Sequence, residues 1–182
     1  KLPEGPSGLF VLEVHYNNAA GHQDALDRSG VKICATTALR EETAGMQWLG
    51  TENLFMLAPG QHDRSGWCRP NLSQPVTILN SSPHMHRRGR HLKSIVHRQG
   101  GGTDTLIDEP FDFDHQVIYE TPMVIYPGDR IETTCTFENE PGLAHFGPGT
   151  DHEMCYNFVV AYPYGALSTG GSLTQASNAC LR

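Results

Sequence analysis

Residues 81–90 read SSPHMHRRGR, with His84 and His86 two apart and Arg87, Arg88 and Arg90 close behind. In an extended strand, residues i and i+2 project from the same side. Two imidazoles projecting together make a bidentate metal platform, and the guanidinium groups beside them are not ligands. Met85 would face the opposite side of such a strand and reads as core. A second candidate donor stands in TDHEMCYNF (150–158), where Met154 follows His152 and Glu153. A thioether joined to two imidazoles favours copper, Cu(I) above all, over zinc or magnesium. Neither feature decides the matter alone. Ten histidines among 182 residues produce an H-x-H pair readily by chance, and a strand methionine is more often a packing residue.

Strands must position these groups, and the chain offers many. Short runs rich in Val, Ile, Thr, Tyr and Phe recur between Gly, Pro and Asn/Asp punctuation. The expected strands are 9–16, 31–39, 53–58, 75–86, 91–99, 103–108, 115–120, 129–137 and 152–162, with turns at RRGR, QGGGTD and YPGD. No stretch keeps a 3.6-residue period over three turns. Strands this short and numerous predict an all-β fold, an antiparallel β-sandwich or jelly roll, in one domain over residues 1–182. The small, polar tail after Pro163 reads as an irregular wrap tied down through Cys180.

Composition narrows the function. The net charge of −7 argues against nucleic acid as a partner, and no apolar run approaches the ~20 residues of a membrane span. The chain opens on Lys1 without a signal peptide, so a processed or excised piece of something longer is expected. Five cysteines without a C-x-x-C pair read as disulfide partners in an oxidising, secretory compartment. Cys34, placed mid-strand in VKICATT, is the natural odd one. Sequons at Asn71 and Asn80 suit a secreted glycoprotein.

Four motifs in order carry a resemblance: LEVHYNN (12–18), HMHRRGR (84–90), YPGDRIETTCTF (126–137) and EMCYNFVVAYP (153–163). From about Gly8 to Cys180 the chain resembles the copper type II, ascorbate-dependent monooxygenases, the family of dopamine β-, tyramine β- and peptidylglycine α-hydroxylating monooxygenases. The part resembled is the C-terminal of that family's two catalytic domains. The resemblance implies that His84, His86 and Met154 hold the oxygen-activating copper. It implies that His15 is one ligand of a second, electron-transferring copper, whose other two ligands are an adjacent His-His pair of the N-terminal domain. This chain has no His-His pair, so the second site is partial here and the N-terminal copper domain is an expected partner within the same polypeptide. The family pattern further implies disulfides Cys135–Cys155 and Cys68–Cys180, leaving Cys34 as a buried free thiol. Leu72 stands where relatives carry a cysteine used between subunits.

Substrate specificity follows neither branch of the family. The peptide-amidating branch has an arginine where this chain has Ser82, and the amine-hydroxylating branch has a glutamate where it has Trp48. Trp48, Tyr156 and Phe158 point to an aromatic or apolar substrate pocket. The expected function is hydroxylation of a C–H bond in a small molecule, using O2, copper and ascorbate as reductant. A non-catalytic extracellular copper-binding or scaffold module on the same fold is the alternative. Arg87, Arg88 and Arg90 read as a solvated turn able to steer an anionic reductant. His22, His62, His91, His97, His115, His145 and His152 read as surface or strand histidines.

Overall fold

A computed structural model describes residues 11–12, 14, 16, 18, 21–24, 26–38, 40–52, 58–141, 144–167 and 180–181. The chain divides into two compact units, Lys1–Glu41 and Glu42–Arg182. In the first unit, Asn18 closes a turn: its side-chain oxygen accepts the His22 N–H at 3.0 Å and its amide donates to the His22 carbonyl at 2.9 Å. The Tyr16 hydroxyl donates to Asp27 at 2.6 Å. No strand occurs among its described residues, which corrects the expectation of a strand at 31–39; half of the strand expected at 9–16 lies outside the described residues. Val31 and Ile33 are exposed instead. Cys34 is free, as expected, but exposed and outside any strand. His15 lies outside the described residues.

The described residues of the second unit form nine strands: β1 (Gly45–Thr51), β2 (Gly60–Cys68), β3 (Val76–His84), β4 (Gly89–His97), β5 (Thr103–Pro110), β6 (Tyr119–Ile125), β7 (Arg130–Asn139), β8 (Cys155–Tyr162) and β9 (Cys180–Leu181). They form a five-stranded sheet, order β6-β3-β8-β1-β9, and a four-stranded sheet, order β2-β7-β4-β5. All neighbours are antiparallel except β9 on β1. This is the expected all-β sandwich. β4 and β7 bury alternate residues between the sheets, as the two-residue period requires. One core cluster gathers Leu49, Val76, Ile78, Val96, Ile125, Ile131, Val159 and Ala161. Leu72, the position of the missing cysteine, packs against it. A second cluster, under the H-x-H segment, gathers Met85, Leu92, Ile107, Phe111, Cys135, Phe137, Ala144 and Cys155.

Two connections cross between the sheets. The Cys135–Cys155 disulfide joins β7 to β8, with a Cα–Cα distance of 5.7 Å. A buried polar chain does the same: Asn157 on β8 donates to Ser81 (3.1 Å) and to Ser94 on β4 (3.3 Å). Ser94 in turn meets Thr133 on β7 at 2.9 Å, and Thr121 on β6 donates to Ser81 at 2.8 Å. Cys68 is disulfide-bonded as well. The Cys180 side chain lies outside the described residues, so the Cys68–Cys180 pairing stays an expectation.

β3 contains a bulge between Ile78 and Asn80, where Leu79 is the extra residue against β8. Before it, the even-numbered Val76 and Ile78 face inward; after it, the odd-numbered Ser81, Pro83 and Met85 do. The bulge therefore turns His84 to the outer face of the five-stranded sheet.

Candidate metal centre

His84 ends β3, opposite Tyr156 of β8, and His86 follows in the turn to β4. Their rings stand edge to face, 5.5 Å between centroids. With imidazole nitrogens about 2.0 Å from an ion, two rings sharing it at tetrahedral to trigonal angles have centroids roughly 5–6 Å apart. The pair fits one ion. Nδ1 of His86 lies 3.2 Å from the carbonyl oxygen of His152; donation there leaves the Nε2 lone pair for a metal, the usual way such a ligand is oriented. Burial, reinforced by the neighbouring His86, pushes the His84 pKa down against a hydrogen bond to Gln116. That direction favours the neutral ring that a ligand requires. Phe113 meets His86 edge-on at 6.2 Å, so the connection from β5 to β6 supplies a neighbour to each imidazole.

Met85 is wholly buried in the core beneath, as its alternation predicts. It rests on Gly89, where an added Cβ would collide with the Met85 side chain and with Phe111. Met154 immediately precedes β8 and is half-buried. Continuing the alternation of β8, it shares the outer face with Tyr156 and Phe158.

That face carries an aromatic cluster. Phe158 stacks on His84 at 4.9 Å and on Tyr156 at 5.7 Å, and Trp48 of β1 lies 5.4 Å from Tyr156 and 5.5 Å from Phe158. The cross-strand register explains it: Trp48 is paired with Phe158, and Gly50 with Tyr156. Burial, then the Glu52 carboxylate that accepts its hydroxyl at 3.2 Å, raises the Tyr156 pKa far above its usual range. Tyr156 stays a neutral donor.

Glu153 was not anticipated from the sequence. Its Oε2 accepts the His86 N–H at 2.9 Å and its Oε1 the Arg88 N–H at 2.8 Å. The signal available was an acidic residue inside an apolar, cysteine-bearing strand start. The arginines are more engaged than a solvated turn implies. Arg88 donates to the Asp151 carbonyl at 2.7 Å, and Arg90 to the carbonyls of Arg87 and Gly89 at 2.8 and 2.7 Å. They line a cleft of about 330 Å³ with Glu138, Glu140 and Asp151.

The side chains of the other described histidines have neighbours of their own. His91 meets Asp108, His97 meets Glu132 and Trp67, and His115 meets Asp112. His145 and His152 pack ring to ring at 4.3 Å. Among the described residues, no three His, Cys, Asp or Glu side chains are placed to hold a metal. A third protein donor beside the imidazoles would come from another residue type. Asn80 uses its side-chain oxygen to accept the Val160 N–H at 3.1 Å, whereas Asn71 is exposed in the turn from β2 to β3.

Residues 42–179 match the family described as copper type II ascorbate-dependent monooxygenase, C-terminal domain. Among named proteins, the chain is 30% identical to MOXD1 homolog 1 of Drosophila melanogaster, with 93% of this chain and 27% of that protein aligned. It is 30% identical to tyramine beta-hydroxylase of Caenorhabditis briggsae, over 100% of this chain and 34% of that protein. With dopamine beta-hydroxylase of Bos taurus the identity is 32%, over 90% and 29%. The chain thus spans about a third of the length of the curated relatives it matches. With the H-x-H pair, the EMC strand and the inter-sheet disulfide set in the matched region, the chain belongs to the copper type II ascorbate-dependent monooxygenase family.

Proposed function

We propose that this chain carries the oxygen-activating copper site of a two-domain monooxygenase, with His84, His86 and Met154 as ligands, and that it hydroxylates a C–H bond of a small aromatic or apolar substrate. The observation that carries the reading is the pair of imidazoles, one of them oriented by a carbonyl, at the mouth of an aromatic face. Copper bound there supplies O2 activation and one-electron chemistry, with ascorbate as the reductant. The protein's own part is to hold and exclude. His84 offers a lone pair without first losing a proton, and the His152 carbonyl fixes the orientation of His86. Met154 adds a soft thioether suited to the reduced ion. Trp48, Tyr156 and Phe158 form an apolar floor that receives an aromatic substrate and keeps water from the reacting C–H.

The N-terminal copper domain of the same polypeptide supplies the remaining electron-transfer ligands in this reading, with His15 the contribution of the present chain. Secretory localisation accords with the Cys135–Cys155 disulfide. No helix among the described residues is long and apolar enough to cross a membrane.

X-ray absorption of the copper-loaded, ascorbate-reduced chain tests the ligand set. Two imidazole nitrogens and one sulfur are expected, with the sulfur lost in Met154→Ala and retained in Met85→Leu. A nitrogen- and oxygen-only shell in the parent refutes it. Oxygen uptake by the full-length protein with ascorbate and a panel of phenylethylamines, phenols and glycine-extended peptides then separates catalysis from the scaffold alternative.

A further inference from the structure

Glu153 is 0% exposed. A carboxylate removed from water is tolerated only when its oxygens are well supplied with hydrogen bonds. Here the donors are the backbone N–H groups of His86 (2.9 Å) and Arg88 (2.8 Å). Neither belongs to a strand: both lie in the turn from β3 to β4. The carboxylate therefore supplies acceptors that no sheet ladder offers these groups. Glu153 is itself held from two sides. Its N–H donates to the His145 carbonyl at 2.9 Å, and its carbonyl accepts the Gly147 N–H at 3.3 Å.

Resting on the copper reading above, we propose that Glu153 is a positioning residue: its carboxylate ties the turn that carries His86 to the strand start that carries Met154, and so sets where the thioether stands relative to the imidazoles. The two segments lie 65–67 residues apart in sequence. Elsewhere their strands, β3 and β8, are paired only as far as His84 and Tyr156. Beyond that last pair, the carboxylate bridges what the ladder does not. The side chain must have two acceptor oxygens and full reach. Glutamine keeps one oxygen but turns an NH2 donor toward an N–H donor. Aspartate keeps both oxygens but is one methylene too short to reach across from the β8 side.

The test has a metal-free and a metal-loaded arm, both on the full chain carrying Glu153→Gln. Without metal, amide hydrogen exchange at His86 and Arg88 is expected to speed up, while Val159 and Ala161 within β8 exchange as in the parent. Unchanged exchange at the two amides overturns the tether whatever the metal does. With copper and ascorbate, X-ray absorption is expected to keep the imidazole nitrogens and lose sulfur intensity. Cu(I) affinity, read by competition with a chromogenic chelator, should fall on the order of tenfold, as for residues that orient ligands. Faster exchange with a parent-like sulfur shell and affinity overturns the role toward Met154. A parent without copper-bound sulfur overturns the ligand reading and this proposal with it, and the exchange arm still reports the tether itself. Glu153→Asp carries the same test should the glutamine variant fail to fold.

Discussion

Replacing both Cys135 and Cys155 by alanine removes the covalent link between β7 and β8, and the size of the effect can be worked out. The two cysteines are 20 residues apart. Chain-entropy arithmetic for a loop of that length gives about 3 kcal/mol at 25 °C from the loosened unfolded chain. Both residues are fully buried in the cluster of Met85, Leu92, Phe111 and Phe137. Each lost sulfur leaves a methyl-sized gap, about 1 kcal/mol apiece. The expected loss is therefore about 5 kcal/mol. With a urea m-value of about 2 kcal/mol/M, the unfolding midpoint should move down by roughly 2.5 M. Trp48 on β1 and Trp67 on β2 report the two sheets separately by fluorescence. Substitution is preferable to a reducing agent because Cys68 is also disulfide-bonded. A midpoint shift below roughly 0.5 M at unchanged m would mean a contribution under about 1 kcal/mol. That result would refute the reasoning and leave core packing as what joins the sheets here.

Gly89→Ala should destabilise the sandwich by about 1–3 kcal/mol, since the new Cβ enters space held by Met85 and Phe111; a neutral result in thermal unfolding contradicts that packing. Burial pushes the Asp129 carboxyl up, but the Tyr126 and Gln99 N–H groups and the Arg98 guanidinium outweigh it and hold its pKa below the usual carboxylate value. A depressed folded pKa contributes stability that is complete above the unfolded value of about 4 and lost as pH falls through the folded one. Asp129→Asn should therefore flatten the acid limb of a stability-versus-pH curve, and an unchanged limb would count against the Arg98–Asp129 pair as its source.

The fold class was legible because alternation in 75–86, 91–99, 103–108, 129–137 and 152–162 coincides with β3, β4, β5, β7 and β8. Alternation misled where no partner strand exists. VKICATT has the pattern of a strand, yet Val31 and Ile33 are exposed. β2 was missed for the opposite reason. GQHDRSGWC is polar through most of its length, and its strand character comes from full pairing with β7. β6 was expected at 115–120 but runs Tyr119–Ile125; it takes in Pro122, which is tolerated because β6 is an edge strand paired with β3. β1 was read only through Trp48. At the site, the two imidazoles were visible from spacing. Glu153 was not, since its meaning rests on contacts 65–67 residues away.

Leu79 makes the outer face of β3 a matter of counting. Had Leu79 taken an ordinary place in the ladder instead of bulging, the alternation that buries Val76 and Ile78 would continue through the even numbers and carry His84 into the core. Met85 would then emerge on the face that holds Phe158 and Tyr156. Straightening one residue far from the imidazoles would thus exchange the chemistry of the two faces while leaving every site side chain in the sequence. Deleting Leu79 outright would instead close the bulge and leave His84 facing outward, because Asn80 would then follow Ile78 in regular alternation. The parity of this segment is under a stricter constraint than the identity of its residues.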